Sequence, residues 1–153
     1  MHVLDLLTIM VAGLLVGNEF AVSAFVNPAI WKHADRRQAV TLAASLGSVM
    51  PIWYAVSLVL LGTEAVLRRA GPDAPFFWLA TGLWLAVIVL TIAALVPINS
   101  RLARLSVREE DHSSVTGDDD WLRDHHLWDR RHRIRVAFLT LALAIFGWGV
   151  LGH

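Results

Sequence analysis

Residues 136–152, VAFLTLALAIFGWGVLG, contain no charged side chain and directly follow the polar segment WLRDHHLWDRRHRIR of residues 121–135. An α-helix needs about 20 apolar residues, at about 1.5 Å each, to cross a hydrocarbon core of about 30 Å. Tryptophan and arginine are enriched where such helices leave the hydrocarbon. The two segments together predict one helix, over residues 121–152, that begins outside the membrane and then spans it.

Three further apolar stretches precede this one, at residues 3–30, 39–67 and 76–97. The whole chain is 56% hydrophobic with a mean hydropathy of +0.56, values typical of helical membrane proteins. Because unpaired backbone groups are costly in lipid, helices are the expected spanning elements. We predict an all-α integral membrane protein whose single domain, residues 1–153, is a four-helix up-down bundle.

The composition also excludes some classes of function. The 13 Lys and Arg residues balance 13 Asp and Glu residues, so no net positive charge attracts nucleic acid. The absence of cysteine excludes a disulfide framework and a thiolate site.

The first stretch carries Asp5 and has no basic start, which favours a retained helix over a signal peptide. The expected partners are the lipid bilayer and a small hydrophobic substrate, with a homo-oligomer possible.

The distribution of basic residues predicts the orientation. Arg68 and Arg69 lie in the second loop, and the other eleven of the 13 Lys and Arg residues lie in the first and third loops or at the start of the fourth helix. Lys and Arg accumulate on the cytoplasmic side of membrane proteins. We therefore expect a multi-pass protein of the inner (plasma) membrane, with loops 1 and 3 cytoplasmic and both termini outside.

Polar residues of the predicted spans converge on the half of the bundle next to loops 1 and 3, and the opposite half is expected to be almost plain hydrocarbon. Glu19 is the most informative of them, because placing an ionised carboxylate inside a spanning helix costs about 2.5–3.5 kcal/mol of insertion free energy. It should therefore face the bundle and have a partner. Its role is either functional or limited to pairing with an arginine that joins two helices. The converging residues are Asn18, Glu19, Pro51, Trp53, Tyr54, Pro97 and Asn99.

The polar start of the fourth helix has a one-sided pattern. At about 100° per residue, five of its residues fall within about 80° of one another on the helix surface. These are Trp121, His125, Trp128, His132 and Arg135. The alternative to a pocket lined by this stripe is a belt of Trp and Arg side chains that anchors the helix at the membrane surface. That alternative is enough to explain Arg130, Arg131 and Arg133.

A second polar stripe is predicted on the third helix, where Trp84 and Asn99 share one face. Pro97 either leaves a carbonyl near residue 93 free and kinks the helix, or marks the end of the helix, with a polar loop beginning at Asn99. Pro51 is expected to act in the same way near Gly47 in the second helix.

Four motifs of the chain resemble a known family: GNEF (17–20), MPIWY (50–54), VPIN (96–99), and the W-x-x-x-H-x-x-R element formed by Trp128, His132 and Arg135. They resemble a bacterial integral membrane family of unknown function that also includes the fungal anthrone oxygenases. The resemblance covers all four spans.

The resemblance implies an anthrone-oxygenase-like oxidoreductase of the kind found in natural-product biosynthesis. Such an enzyme would oxidise a small hydrophobic, aromatic or phenolic substrate with O₂ in a cytoplasmic-side pocket of the bundle. Glu19 or His132 would be the base, while Arg135 and Asn99 would hold the developing oxyanion. The expected substrate-binding residues are Asn18, Trp53, Tyr54, Trp84, Trp121 and Trp128.

The cofactor stays open between none and a single iron or copper ion, with O₂ as co-substrate. Such an ion would be held by Glu19 and His132, together with His125, His126 or Asp129. His125 and His132 are seven residues apart, about 10 Å along a helix, which is too far for one ion. The alternative function is a non-enzymatic lipid- or quinone-binding protein, or a membrane subunit, that uses the same pocket only for binding.

Overall fold

The computed structural model describes residues 3–33, 38, 40–42, 45, 49–108 and 116–152. Nearly all of these residues are helical, and none of them lies in a strand. Four helices are long and apolar enough to cross a membrane: Val3–Ala29, Met50–Leu67, Ala74–Leu102 and Leu122–Leu151. The prediction of an all-α chain with four potential membrane spans is confirmed.

Two of the four helices are interrupted by a short π-helix. The first helix consists of an α-helix Val3–Ala21, a π-helix Val22–Val26 and an α-helix Asn27–His33. The third consists of an α-helix Ala74–Leu90, a π-helix Thr91–Leu95 and an α-helix Val96–Arg108. The second is Met50–Leu67, and the fourth, Thr116–Leu151, has 36 residues and is therefore about 54 Å long, longer than the hydrocarbon core is thick.

Each π-helix ends two residues before a proline, Pro28 in the first helix and Pro97 in the third. Proline has no N–H to donate, and its ring clashes with the carbonyl four residues earlier. The wider π turn accommodates both effects, so each helix continues beyond its proline. The alternative in which a loop begins at Asn99 is therefore wrong, because the helix runs on to Arg108.

Pro51 does not kink the second helix. It occupies the first turn of Met50–Leu67, where the missing N–H would have no intrahelical acceptor in any case. The predicted kink site, Gly47, lies outside the described residues.

The first helix packs against the second and the fourth, and the third also packs against the second and the fourth. Neighbouring helices are antiparallel: Asp5 near the start of the first meets Arg68 after the second, and Gly149 near the end of the fourth lies against Phe76 near the start of the third. The rings of Phe77 and Phe146 pack edge to face, 5.3 Å apart, in the core between the third and fourth helices. The side chains at the centre of the core are Ala12, Leu15, Leu61, Ala65, Phe77, Ala80, Trp84, Leu139, Ala142 and Phe146.

The half of the molecule expected to be plain hydrocarbon contains a buried cluster of charged side chains, so that prediction is wrong. Asp5 and Glu64 are each only 2% exposed, and both form ion pairs with Arg68. Arg68 lies in the turn that follows the second helix, as predicted, four residues after Glu64, a spacing that favours pairing on one face. We call Asp5, Glu64 and Arg68 the outer cluster.

Candidate active site

Glu19 lies on the buried face of the first helix, one turn before the π-helix, and is 2% exposed. Arg135 Nη2 donates a hydrogen bond to Glu19 Oε2 at 2.5 Å, and the Tyr54 hydroxyl donates to Glu19 Oε1 at 2.9 Å. Both carboxylate oxygens therefore have donors, one of them charged. The expectation that Glu19 faces the interior and has a partner agrees with this geometry.

His132 is 1% exposed and has contacts at both ring nitrogens. Nε2 lies 3.3 Å from the main-chain carbonyl oxygen of Glu19, and Nδ1 lies 2.7 Å from Arg135 Nη2. A carbonyl oxygen only accepts and a guanidinium nitrogen only donates, so the ring carries its proton on Nε2 and a lone pair on Nδ1. His132 Nδ1 is also 3.7 Å from Glu19 Oε2, but the shorter contact with Arg135 decides its role as acceptor.

Arg135 joins the acid and the imidazole through a single nitrogen, Nη2. Its side chain is 11% exposed, and its guanidinium carbon lies 5.9 Å from the centre of the Tyr54 ring, within the range of a cation–π contact. Arg135 Nε is buried and has no hydrogen-bond partner among the described residues. An unused buried N–H is uncommon and costs roughly 1–3 kcal/mol, so this donor is available to a ligand oxygen.

Two tryptophans flank the cluster of Glu19, Tyr54, His132 and Arg135, which we call the inner cluster. Trp128 stacks on His132 with ring centroids 4.7 Å apart and planes 7° apart. Trp84 is fully buried and donates from Nε1 to the Tyr54 carbonyl oxygen at 3.3 Å. These aromatic contacts hold the polar side chains in place and make their surroundings apolar.

Both π-helices contact the fourth helix, which carries His132 and Arg135 of the inner cluster. Arg131 Nη1 donates to the Ala94 carbonyl oxygen in the second π-helix at 3.0 Å, and Asn27 Nδ2, just after the first π-helix, donates to Asp129 Oδ1 at 3.0 Å. The sequence predicts a free carbonyl near residue 93, and in the structure the neighbouring Ala94 carbonyl accepts a side-chain hydrogen bond. Arg131, which the belt interpretation takes as an interfacial anchor, is half-buried and also contacts the third helix.

A comparison with protein families matches residues 31–145 to the family described as anthrone oxygenase. The chain belongs to the anthrone oxygenase family. The predicted resemblance is thus confirmed, and the matched range contains Tyr54, His132 and Arg135, whereas Glu19 precedes it. No curated protein and no solved structure matches the chain.

In this anthrone oxygenase family member, some predicted site residues lie away from the inner cluster. Asn99 is exposed, so the structure does not bring it to Arg135, and the buried positions on that helix are Ile98 and Leu102. Asn18 is half-buried, and its amide contacts Met50 Sδ at 3.7 Å. Trp53 is half-buried and donates to the Val11 carbonyl oxygen at 3.1 Å. Trp121 belongs to the fourth helix, but its side chain lies outside the described part.

The residues named for a metal ion do not come together as a ligand set in this family member. His126 is exposed, and the rings of His125 and His126 are 5.6 Å apart. Asp129 pairs with Arg133 at 2.6 Å, and both nitrogens of His132 are already engaged. Among the described residues no group of three or more His, Cys, Asp or Glu side chains could hold a metal. The inner cluster therefore does not fit the predicted iron or copper site.

Proposed function

We propose that this protein is a membrane-embedded oxygenase that oxidises a small hydrophobic, aromatic or phenolic substrate with O₂ at the inner cluster. The observation that carries the proposal is the buried N–H of Arg135 Nε, which has no hydrogen-bond partner in the described part of the chain and adjoins an acid and an imidazole. A carbonyl oxygen that becomes an enolate or phenolate is the acceptor that suits such a donor. Membership of the anthrone oxygenase family supports the same class of reaction.

In this proposal His132 is the base. The Glu19 carbonyl fixes the tautomer, so the lone pair of Nδ1 points into the cluster. When Arg135 turns toward the substrate oxygen, Nδ1 becomes free to accept a proton from the carbon next to the substrate carbonyl. The resulting imidazolium would lie 3.7 Å from Glu19 Oε2, whose negative charge stabilises it. Glu19 therefore acts as a positioning and charge-stabilising residue.

The redox chemistry balances without a further reductant. Removal of the C–H proton leaves an electron-rich enolate, which passes one electron to O₂. The resulting carbon radical and superoxide combine, and after protonation the hydroperoxide loses water. A CH₂ group and one O₂ thus give one C=O group and one H₂O. The proton taken by His132 returns to the peroxide oxygen, so the protein ends the cycle unchanged.

The surroundings of the cluster suit a flat apolar substrate. The stacked pair of Trp128 and His132 and the buried Trp84, whose ring lies against Tyr54, offer aromatic surface near Arg135 and Tyr54. An apolar environment also strengthens the attraction between Arg135 and a developing oxyanion. These features support a polycyclic or phenolic ring system over an aliphatic substrate.

The proposed location is the inner membrane, with loops 1 and 3 cytoplasmic and the inner cluster in the cytoplasmic half. The distribution of Lys and Arg supports this orientation. The chain has no cysteine, so single cysteines introduced in the loops can be labelled with a membrane-impermeant reagent. Labelling of the second loop from the cytoplasmic side would contradict the proposed orientation.

The test of the proposed function is O₂ uptake by detergent-purified protein with anthrone as the probe, corrected for spontaneous oxidation. We expect His132→Gln to lower kcat by about 10²–10⁴-fold, the usual contribution of a general base. Arg135→Met should lower it by about 10²–10³-fold through loss of the oxyanion donor. Asn99→Ala is the matched control and should leave uptake unchanged, because Asn99 is exposed and outside the cluster.

The same experiment separates catalysis from simple binding. If anthrone quenches tryptophan fluorescence in a saturable way but no O₂ is consumed above background, the protein is a binding protein for lipid- or quinone-like molecules. If His132→Gln retains full turnover, the assignment of the base is wrong. Thermal unfolding of each variant shows whether a loss of uptake reflects loss of the fold.

A further inference from the structure

We propose that the helical segment Val96–Arg108, which we call the gate helix, swings about the second π-helix, Thr91–Leu95, to admit substrate to the inner cluster. The inference rests on the proposed function only for what enters, because the opening itself is measured without O₂ uptake. It is carried by the closure of the inner cluster, by the break in the third helix beside it and by the small core that holds the gate helix.

The inner cluster is closed in the structure. Glu19, Tyr54 and His132 are buried, and the side chain of Arg135 is only 11% exposed. Trp128 covers one face of the His132 ring, and both ring nitrogens are in contact with other protein atoms. A molecule as large as an aromatic ring system therefore reaches His132 Nδ1 only after part of the protein moves.

The second π-helix lies beside the inner cluster and is the proposed hinge. The Ala94 carbonyl within it accepts a hydrogen bond from Arg131, the residue before His132. A π turn interrupts the regular hydrogen-bond ladder of a helix, and Pro97 weakens the ladder again two residues later. The third helix can therefore bend at this level, where the Arg131 contact holds it against the fourth helix.

The fourth helix is the fixed element against which the gate helix moves. It is α-helical without interruption from Thr116 to Leu151, so it has no break at the level of the hinge. The third helix changes from α to π and back to α over Thr91–Leu95. The gate helix can therefore tilt away from the fourth helix while Ala74–Leu90 stays packed in the main core.

The contacts that close the gate helix are few. In the described part of the chain its buried apolar side chains are Ile98 and Leu102, whereas the main core has thirteen buried side chains. Its ion pair with the fourth helix joins Arg101 to Asp124 at 3.4 Å, and the Arg101 side chain is 49% exposed. A segment held by few buried apolar contacts opens at a lower free energy than the whole domain unfolds.

Trp128 couples the gate helix to the proposed base. It packs against Ile98 and Leu102 on the gate helix, and it stacks on His132 within the fourth helix. When the gate helix tilts away, Trp128 loses this apolar support and can rotate off the imidazole ring. Closure restores the stack and expels water, which strengthens the attraction between Arg135 and an oxyanion.

The experiment measures access to His132 directly in the detergent-purified full chain. Diethylpyrocarbonate acylates the imidazole group of accessible, unprotonated histidines, and peptide mass spectrometry gives the rate at each position. The exposed His126 is the internal control, so the measured quantity is the rate at His132 divided by the rate at His126. Leu102→Ala removes apolar contact from the gate helix and should raise this ratio by about 10–100-fold.

A truncation in the main core is the matched control. Leu61→Ala removes the same side-chain atoms from a buried position, but it leaves the contacts of the gate helix in place. It lowers the stability of the whole domain, so the ratio should stay at the wild-type value. Ile98→Val is a milder change on the gate helix that should raise the ratio by about 2–10-fold, and it serves if Leu102→Ala does not fold.

A reversible lock tests the opposite direction. The chain contains no cysteine, so Arg101→Cys combined with Asp124→Cys introduces two thiols at positions whose side chains are in contact. Bridging them with a short bis-methanethiosulfonate reagent should lower the ratio below that of the unbridged protein, and reduction should restore it. Arg101→Cys alone, treated with the same reagent, should show no such decrease.

The outcomes separate the gate from the proposed oxygenase. If the ratio rises in Leu102→Ala and falls on bridging, the gate is supported even if no variant consumes O₂. If neither change alters the ratio, the gate is overturned, although O₂ uptake by the wild type would still support the oxygenase. If Leu61→Ala raises the ratio as much as Leu102→Ala, access follows unfolding of the whole domain and the proposal is also overturned.

Discussion

Removal of the charge of Glu19 should destabilise the fold through Arg135. In Glu19→Gln the Arg135 guanidinium, with 11% of its side chain exposed, loses the only carboxylate that it pairs with among the described residues. Loss of one partner of a buried ion pair costs about 3–5 kcal/mol, because the other charge stays buried and uncompensated. The glutamine oxygen can still accept from Tyr54 and Arg135, so we expect about 3 kcal/mol, the lower end. For a chain of this size that corresponds to a fall in Tm of roughly 6–12 °C.

A double-mutant cycle isolates the pair from other effects of the substitution. Arg135→Met in the Glu19→Gln background removes the uncompensated charge, so the double variant should lose less stability than the sum of the two single variants. We expect a coupling free energy of about 1.5–3 kcal/mol, the upper part of the range for residues in direct contact. Thermal unfolding followed by the fluorescence of the seven tryptophans provides the measurement.

A control cycle is available on the same helix. Asp129 and Arg133 form an ion pair at 2.6 Å, but the side chain of Arg133 is 66% exposed. Exposed pairs contribute only about 0–1 kcal/mol, so the Asp129→Asn and Arg133→Met cycle should show weak coupling. Additive effects in the Glu19 cycle, with a coupling below about 0.5 kcal/mol, would show that Glu19 and Arg135 do not form a buried pair.

Two further substitutions test how the inner cluster is supported. Tyr54→Phe removes the donor to Glu19 Oε1 and should cost about 1.5–3 kcal/mol, the value of a hydrogen bond to a charged group, measured by the same unfolding assay. An unchanged Tm would mean that water replaces the hydroxyl group. Pro97→Ala restores a backbone N–H and removes the ring clash, so it should stabilise the third helix by about 1–3 kcal/mol. O₂ uptake should fall, because the Ala94 carbonyl that Arg131 contacts would move. A loss of stability in Pro97→Ala would contradict the reasoning that the proline costs this helix a hydrogen bond and a ring clash.

The part of the site that could be predicted from sequence is the part that is anomalous in lipid. Glu19 interrupts an apolar helix, and the spacing of Trp128, His132 and Arg135 follows the helical period on the fourth helix. The structure brings Glu19, His132 and Arg135 within hydrogen-bonding distance, and Trp128 stacks on His132. Their catalytic roles stay predictions that the uptake assay tests.

The remaining features could not be predicted because a spanning helix is apolar on its outer face as well as its inner face. The hydrophobic pattern then carries little information about which face is buried. On the third helix, Ile98 and Leu102 pack inward against Leu127 and Trp128, which leaves Asn99 exposed. The π-helices could not be predicted either, because a proline indicates a disturbed helix but not whether the helix ends or widens.

The charges of the inner cluster follow a simple rule. A group of charges between apolar helices is stable when its sum is close to zero. The inner cluster is balanced by Glu19 and Arg135, with His132 neutral in the tautomer that its contacts fix. Proton transfer from substrate to His132 creates a cation and an oxyanion together, so the balance is kept during the reaction, and Arg135 Nε provides a donor for the new anion.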